Sequence, residues 1–307
     1  VANLYNKHHR LGYASQFTWE NVCIVPGPRA ALQRIALALG HGMLGIFVPD
    51  ICASHDIQSL FRRFRISPIP LHDEGYGIGD ICCKEIRRGT TVFLAPNPEP
   101  VMPLSTKKYE LRKLQDICRE RVTLIMDESM SGFNYANDCD GTTTSAAENI
   151  EDVESDDVFI IDGLANRFRL PGWHVSWILG SKEHIKTIAS QGSSLDDGTS
   201  VAFQEGCIPM LEPLKVTKET QALQIHFRDK RDYVVKRLKS MGFVIERIPT
   251  CTFYVWLDVE GMPWSINNGL KFYHACLEKQ VIVIPGILFD FSLAQRRKPE
   301  DSPCYRK

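Results

Sequence analysis

Short apolar runs alternate with amphipathic segments along the first two thirds of the chain. Residues 22–27 (VCIVPG), 44–49 (LGIFVP), 91–96 (TVFLAP), 122–128 (VTLIMDE), 158–163 (VFIIDG) and 173–180 (WHVSWILG) are apolar stretches of strand length. Near-continuous runs of this kind predict strands covered on both faces rather than strands with one wet side. Between them, residues 29–40, 55–64 and 105–120 place apolar side chains at helical spacing, the first ending at the stop signal Gly40. The alternation predicts an α/β fold around a mostly parallel, doubly covered sheet. The acidic, Ser/Thr-rich stretch 137–157 predicts a surface excursion.

The pattern changes after residue 214. A long helical segment, 216–242, is followed by apolar runs at 244–249 and 252–259, a helical segment at 267–280 and a strand-like run at 281–286. This predicts a smaller α+β domain, 216–307, hinged by its first helix on a large domain, 1–215. There is no internal repeat.

Charge and composition then narrow the class of partner. The chain has 36 basic and 37 acidic side chains, a net charge of −1, and no basic stripe, which argues against nucleic acid and anionic membranes as partners. The longest apolar run, 281–289, is far shorter than a membrane span and is broken by Pro285 and Gly286. Ten cysteines show no CxxC or Cys/His metal spacing. Those in apolar surroundings (Cys23, Cys207, Cys276) read as small buried hydrophobes, and together with the absence of a secretory signal they predict a reducing, cytoplasmic setting. The start at Val1 and the polar end 296–307 suggest a piece of a longer chain. His8 and His9, adjacent on an extended segment, face opposite ways and predict no metal site. Trp173 and Trp177, at even spacing along a strand, predict two core side chains on one face.

Ligands of open parallel sheets bind at the carboxyl ends of the strands. Three such ends carry unusual chemistry: 27–32 (GPRAAL), 127–129 (DES) and 163–174 (GLANRFRLPGWH). Asp127 closes a buried strand, which costs desolvation unless the carboxylate meets a cation or hydrogen-bond donors. A loop-capping role is the alternative reading.

Together these segments resemble the class I/II aminotransferases, fold-type I enzymes that use pyridoxal phosphate (PLP), in the family's order along nearly the whole chain. The family's glycine-led phosphate turn resembles 27–32. Its Asn-Pro-x-Asn-Pro-Thr-Gly loop resembles 96–102 (PNPEPVM), its strand-ending Asp-Glu resembles Asp127 and Glu128, and its small-domain Pro-Gly-x-x-Phe turn resembles 285–290 (PGILFD). Its lysine loop, Gly-Leu-Thr-Lys-Asn-Trp/Phe-Arg-Leu-Pro-Gly-Trp-Arg, is similar to 163–174, with Gly163, Leu164, Phe168, Arg169, Leu170, Pro171, Gly172 and Trp173 all in place. The resemblance implies a seven-stranded, mostly parallel sheet in the large domain and a dimer, either of identical chains or with an active homologue. It also implies Asp127 as partner of the pyridine nitrogen, Gly27 in the phosphate turn, and Arg29 and Arg169 as phosphate contacts.

The departures from the family pattern bear on function. The position of the Schiff-base lysine is Asn166, preceded by Ala165 where the family has Thr. An amide forms no imine and is no base near neutral pH. Lys182 and Lys186 follow an intervening strand and are not stand-ins. The phosphate-clamping arginine reads His174, and Pro28 after the turn glycine has no N–H. The loop asparagine at the pyridine oxygen aligns with Glu99, or with Asn97 in a shifted alignment. The tyrosine after the aspartate reads Met130, and the ring-stacking aromatic reads Ile51. With each charge-assisted contact worth roughly 1.5–3 kcal/mol, these losses predict weak PLP binding or none. The expectation is an inactive pseudo-aminotransferase with a structural or regulatory role. The alternatives are an active enzyme holding PLP non-covalently and a module binding an amino acid or small anion.

Overall fold

The computed structural model describes residues 1–39, 45–49, 67–71, 91–98, 105–119, 122–136, 138–245, 247–290 and 298–307. The expected helix at 55–64, together with Ile51 and Glu99, lies outside the described residues. Among the described residues seven strands form one sheet: β1 (Val22–Val25), β2 (Gly45–Pro49), β3 (Ser67–Leu71), β4 (Thr91–Pro96), β5 (Thr123–Asp127), β6 (Val158–Gly163) and β7 (Ser176–Leu179). Their order is β1-β7-β6-β5-β4-β2-β3. The ladders β3-β2-β4-β5-β6 are parallel, whereas β7 runs antiparallel to both β6 and β1. The sheet has the seven strands and mostly parallel order implied by the resemblance; six of them coincide with the apolar runs, and the edge strand β3 was not read from the sequence.

Period-two alternation sorts the strand side chains into two cores. On one face Val92, Leu94, Ile125, Phe159, Ile161 and Ile178 pack under helices α2 (Pro28–Leu39) and α5 (Lys182–Leu195). On the other, Ala95, Leu124, Met126, Ile160, Trp177 and Leu179 are buried under α1 (Ala2–His9), α3 (Lys108–Cys118) and the start of the long α7 (Pro213–Ser240). Two short helices, α4 (Leu164–Arg167) and α6 (Val201–Cys207), complete this side. Both faces are dry, which is why the strands lack polar alternation.

Several expectations are corrected. His8 and His9 end a helix rather than lying on an extended segment. His8 Nε2 contacts Pro213 O at 3.2 Å, and His9 Nδ1 contacts Glu148 Oε1 at 3.2 Å. Trp177 is in β7 and fully buried, but Trp173 precedes the strand and stacks on Phe203 outside it. Within 138–157 the stretch is only partly a surface excursion. Ala146, Ala147, Ile150 and Val153 enter the core from a single 3-10 turn, Ala146–Glu148, and the irregular segment after it.

In the C-terminal region, α8 (Gly269–Glu278) forms within the expected helix, but the described residues of 244–249, 252–259 and 281–286 form no strand. Among the described residues only an isolated bridge joins Val244 to Asp258, and another joins Asn134 to Cys251. A strand needs a neighbouring backbone for its N–H and C=O groups. Among the described residues none forms such a ladder with 281–285, and Val281, Ile282 and Ile284 stay exposed.

Candidate active site at the carboxyl ends of the strands

The parallel register brings the polar strand ends together. Pro96 pairs with Asp127, Asp127 with Ile161, and Gly163 with Ser176. Because β7 is antiparallel, its first residue lies at this same edge, next to Val25 at the end of β1. The segments 27–32, 127–129 and 163–174 therefore converge, as expected. Lys182 and Lys186 follow the far end of β7, at the opposite edge. Lys182 Nζ is moreover 3.2 Å from Glu20 and 3.9 Å from Glu154.

Asp127 stands at the end of β5 on the α2 side. Its Oδ1 accepts the Ser129 N–H at 3.1 Å, forming a tight turn. The residue is partly exposed, but its carboxyl is set deep enough that desolvation raises its pKa, with the Ser129 hydrogen bonds opposing the rise. Asn166 is the third residue of α4. Its Nδ2 donates to Ser129 O at 3.1 Å. Ser129 thus links Asp127 and Asn166 through its two backbone groups, and the two residues share one turn.

The turn at the start of α2 brings a second pair together. Gly27 has φ +107°, in the left-handed region where side chains are strained, and its N–H is used by Val25 O at 2.9 Å. Pro28 supplies no N–H and begins the helix at the position where proline is tolerated. The His174 ring lies over this turn: a Cβ placed on Gly27 would be 4.0 Å from His174 Nδ1. His174 is itself left-handed, at φ +50°, and exposed.

The arginines are less convergent. Arg29, next in the turn, is exposed and engaged in an interaction of its own. Arg169 is exposed, has φ +56°, and pairs with Glu219 at 3.0 Å, which holds it toward α7 rather than over Gly27. Asn97 is buried, with its amide donating to Thr144 O at 3.0 Å, so it points to the sheet face opposite Asp127. Met130 is half-buried in the turn after Ser129.

Sequence reasoning missed Arg167. It is only 6% exposed and pairs with Asp162 (1% exposed) at 2.7 Å. It also reaches Ser131 Oγ at 3.1 Å and Thr220 Oγ1 at 3.5 Å, fastening α4 to the 129–131 turn and to α7. Gly163, which precedes α4, has no room for a side chain: a Cβ there would overlap Ser176 Oγ and approach Val175 O to 2.9 Å. The local frame of the loop is thus fixed from below, independently of the residue at 166. Among the described residues no cluster of His, Cys, Asp or Glu could hold a metal ion, and no helix is long and apolar enough to cross a membrane.

The profile of the family described as Aminotransferase class I and II matches residues 2–297. A probable aspartate/prephenate aminotransferase of Aquifex aeolicus is 24% identical over 208 residues, 67% of this chain and 52% of the relative. An LL-diaminopimelate aminotransferase of Nitratidesulfovibrio vulgaris is 27% identical over 294 residues, 93% of this chain and 72% of the relative. In the first-ranked alignments the chain spans about half the length of the curated relatives. Among solved structures, a tetra mutant of Thermus thermophilus aspartate aminotransferase superposes with a TM-score of 0.80 at 19% identity, covering 94% of this chain and 76% of that one. N-Succinyldiaminopimelate aminotransferase from Mycobacterium tuberculosis gives 0.80 at 18% identity, covering 94% and 73%. These superpositions establish the fold, and the profile match over almost the full length establishes the lineage: the chain belongs to the class I and II aminotransferases, a family that uses PLP.

Proposed function

We propose that this chain is a pseudo-aminotransferase, with the fold kept and the covalent chemistry lost. The observation that carries this reading is the engagement of Asn166. At the position that the resemblance assigns to the lysine stands an amide, bonded to Ser129 O beside Asp127. It offers no amine to an aldehyde and no base to a substrate proton. Arg167, the nearest cation in sequence, is buried against Asp162 and cannot replace it.

The residues present do not fit PLP held as a Schiff base. The phosphate turn has spent the Gly27 N–H on Val25 O, has Pro28 next, and has His174 where a guanidinium would make a bidentate clamp. Asp127, at the strand end, is the one described group suited to a pyridine nitrogen, and it supports a second reading in which PLP is held without a covalent bond. In the leading reading the chain works as a structural or regulatory subunit, in a dimer with itself or with an active homologue.

The test is reduction with borohydride after incubation with PLP, followed by intact mass. The expected result is an unchanged mass. A pyridoxyl group trapped on a lysine near Asp127 overturns the proposal. Absorbance of the protein after dialysis against PLP separates non-covalent binding from no binding.

A further inference from the structure

Directly across the sheet from the candidate site lies a group of buried ionisable side chains. The alternation that turns Asp127 toward α2 turns Glu128 and Asp162 to the opposite face, where Tyr5 of α1 and Arg167 of α4 meet them. Glu128 and Asp162 are each 1% exposed. Arg167 pairs with Asp162 at 2.7 Å, and the Tyr5 hydroxyl donates to the same carboxylate oxygen at 3.2 Å. The Gly163 N–H donates to the other oxygen at 2.7 Å. Asp162 is therefore fully served.

Among the described residues Glu128 has no cation of its own. Its partners are the Ser145 hydroxyl, 2.7 Å from Oε2, and the Ala146 N–H, 2.6 Å from Oε1. One buried cation thus serves two buried acids, and a second carboxylate in this volume carries a large desolvation cost. The neutral acid satisfies the same two partners: its carbonyl oxygen accepts from Ala146 N–H and its O–H donates to Ser145 Oγ.

We propose that Glu128, with Asp162, Arg167 and Tyr5, is a proton-linked switch beneath the candidate site: the folded chain keeps one proton on Glu128 at neutral pH, and its loss loosens the segments carrying Asp127 and Asn166. The connectivity is direct, since Glu128 follows Asp127 and Arg167 follows Asn166. Glu128 also clasps the 145–148 turn, which a charged, mutually repelling Glu128–Asp162 pair releases. Burial is the main cause that raises the Glu128 pKa from 4.5 to about 8; Ser145 and Ala146 oppose it through hydrogen bonds, Asp162 adds to it and Arg167 lowers it. The other titratable groups facing the cluster are Tyr5, pushed well up by burial and by both acids, and His8, pushed down by burial and His9, with Arg167 a further lowering influence. Asp127 senses Asp162 from across the sheet.

The sign follows from linkage. An unfolded chain releases the Glu128 proton at its ordinary pKa, whereas the folded chain retains it to about 8. The stability from this proton is fully present below the ordinary pKa and is lost as pH rises through the folded one.

The switch rests on the protein's own proton and is independent of whether PLP binds. The test is hydrogen exchange read by mass spectrometry on the wild type and Glu128→Gln from about pH 6 to about pH 9.5, corrected for intrinsic exchange rates. In the wild type, protection of residues 145–148 and 164–167 falls by about tenfold or more between about pH 6 and about pH 8 and then levels off, and in Glu128→Gln it does not. An identical loss in both proteins, or none in the wild type, overturns the proposal. Should Glu128→Gln fail to fold, infrared spectroscopy of the wild type decides. A buried carboxylic-acid carbonyl band that disappears near pH 8 supports the switch, and absence of that band at neutral pH overturns it.

Discussion

Replacing Arg167 by methionine isolates what holds the site loop in place. Methionine keeps most of the length and apolar stem of the side chain but removes the charge and all its donors. At 2.7 Å, the Arg167–Asp162 attraction is about 6 kcal/mol at an effective dielectric near 20. Desolvation of both ions offsets most of it, so the net value of the pair is small. The single substitution is costly for another reason: it leaves Asp162 charged at 1% exposure, with only the Tyr5 hydroxyl and the Gly163 N–H to serve it. Breaking a buried pair in this way costs about 3–5 kcal/mol, a large part of the stability of an ordinary domain. Asp162→Asn strands the guanidinium instead and should cost a similar amount. The double variant Arg167→Met/Asp162→Asn removes both charges and should recover about 1–3 kcal/mol relative to the sum of the singles. The assay is chemical denaturation of all four proteins at pH 7, read by fluorescence and circular dichroism together. A loss below about 1 kcal/mol for Arg167→Met, or additivity within about 0.5 kcal/mol in the cycle, would refute the reasoning.

Two further outcomes concern the loop and its neighbours. Gly163→Ala drives a methyl group into Ser176 Oγ and Val175 O and should cost about 1–3 kcal/mol in the same denaturation assay; an unchanged midpoint would show that β6 and β7 can separate there. Asn166→Lys alone should bind PLP weakly at best and show no transamination, whereas the combination with His174→Arg and Pro28→Gly should bind PLP detectably by absorbance. A yellow, active single variant would mean that the phosphate turn is nearly intact despite Pro28 and His174.

The central sheet was legible because strands buried on both faces leave continuous apolar runs. Strand β3 was not, because Ser67–Leu71 contains Pro68 and Pro70. Two residues apart, both prolines turn the N–H they lack to one side, and a strand that among the described residues pairs with β2 alone can leave that side open. The stretch 137–157 read as a surface excursion because its acids outnumber its apolar residues, whereas burial of Ala146, Ala147, Ile150 and Val153 draws part of it into the core. The apolar run at 281–286 looked like a strand, but strand-forming composition does not supply a partner backbone.

The same limit applies at the site, where identity along the loop was legible and direction was not. Glu128 and Asp127 are adjacent acids, yet the pleat sends one into the lower core and leaves the other at the upper strand end. Asn166 and Arg167 repeat this separation on α4. A basic residue one position late does not sit one residue's distance from the ligand; on a helix it is turned by about 100°. Here that rotation delivers the guanidinium to Asp162, five residues upstream, instead of to Asp127. Five is neither a helical nor a strand spacing, so no local pattern announces the pair. Arg167 thus acts as an anchor beneath the site, and the Asn166 amide above it closes onto Ser129. On the proposed reading, Schiff-base chemistry here would need a primary amine at 166 together with the phosphate contacts at 28 and 174, and Arg167 can stay where it is.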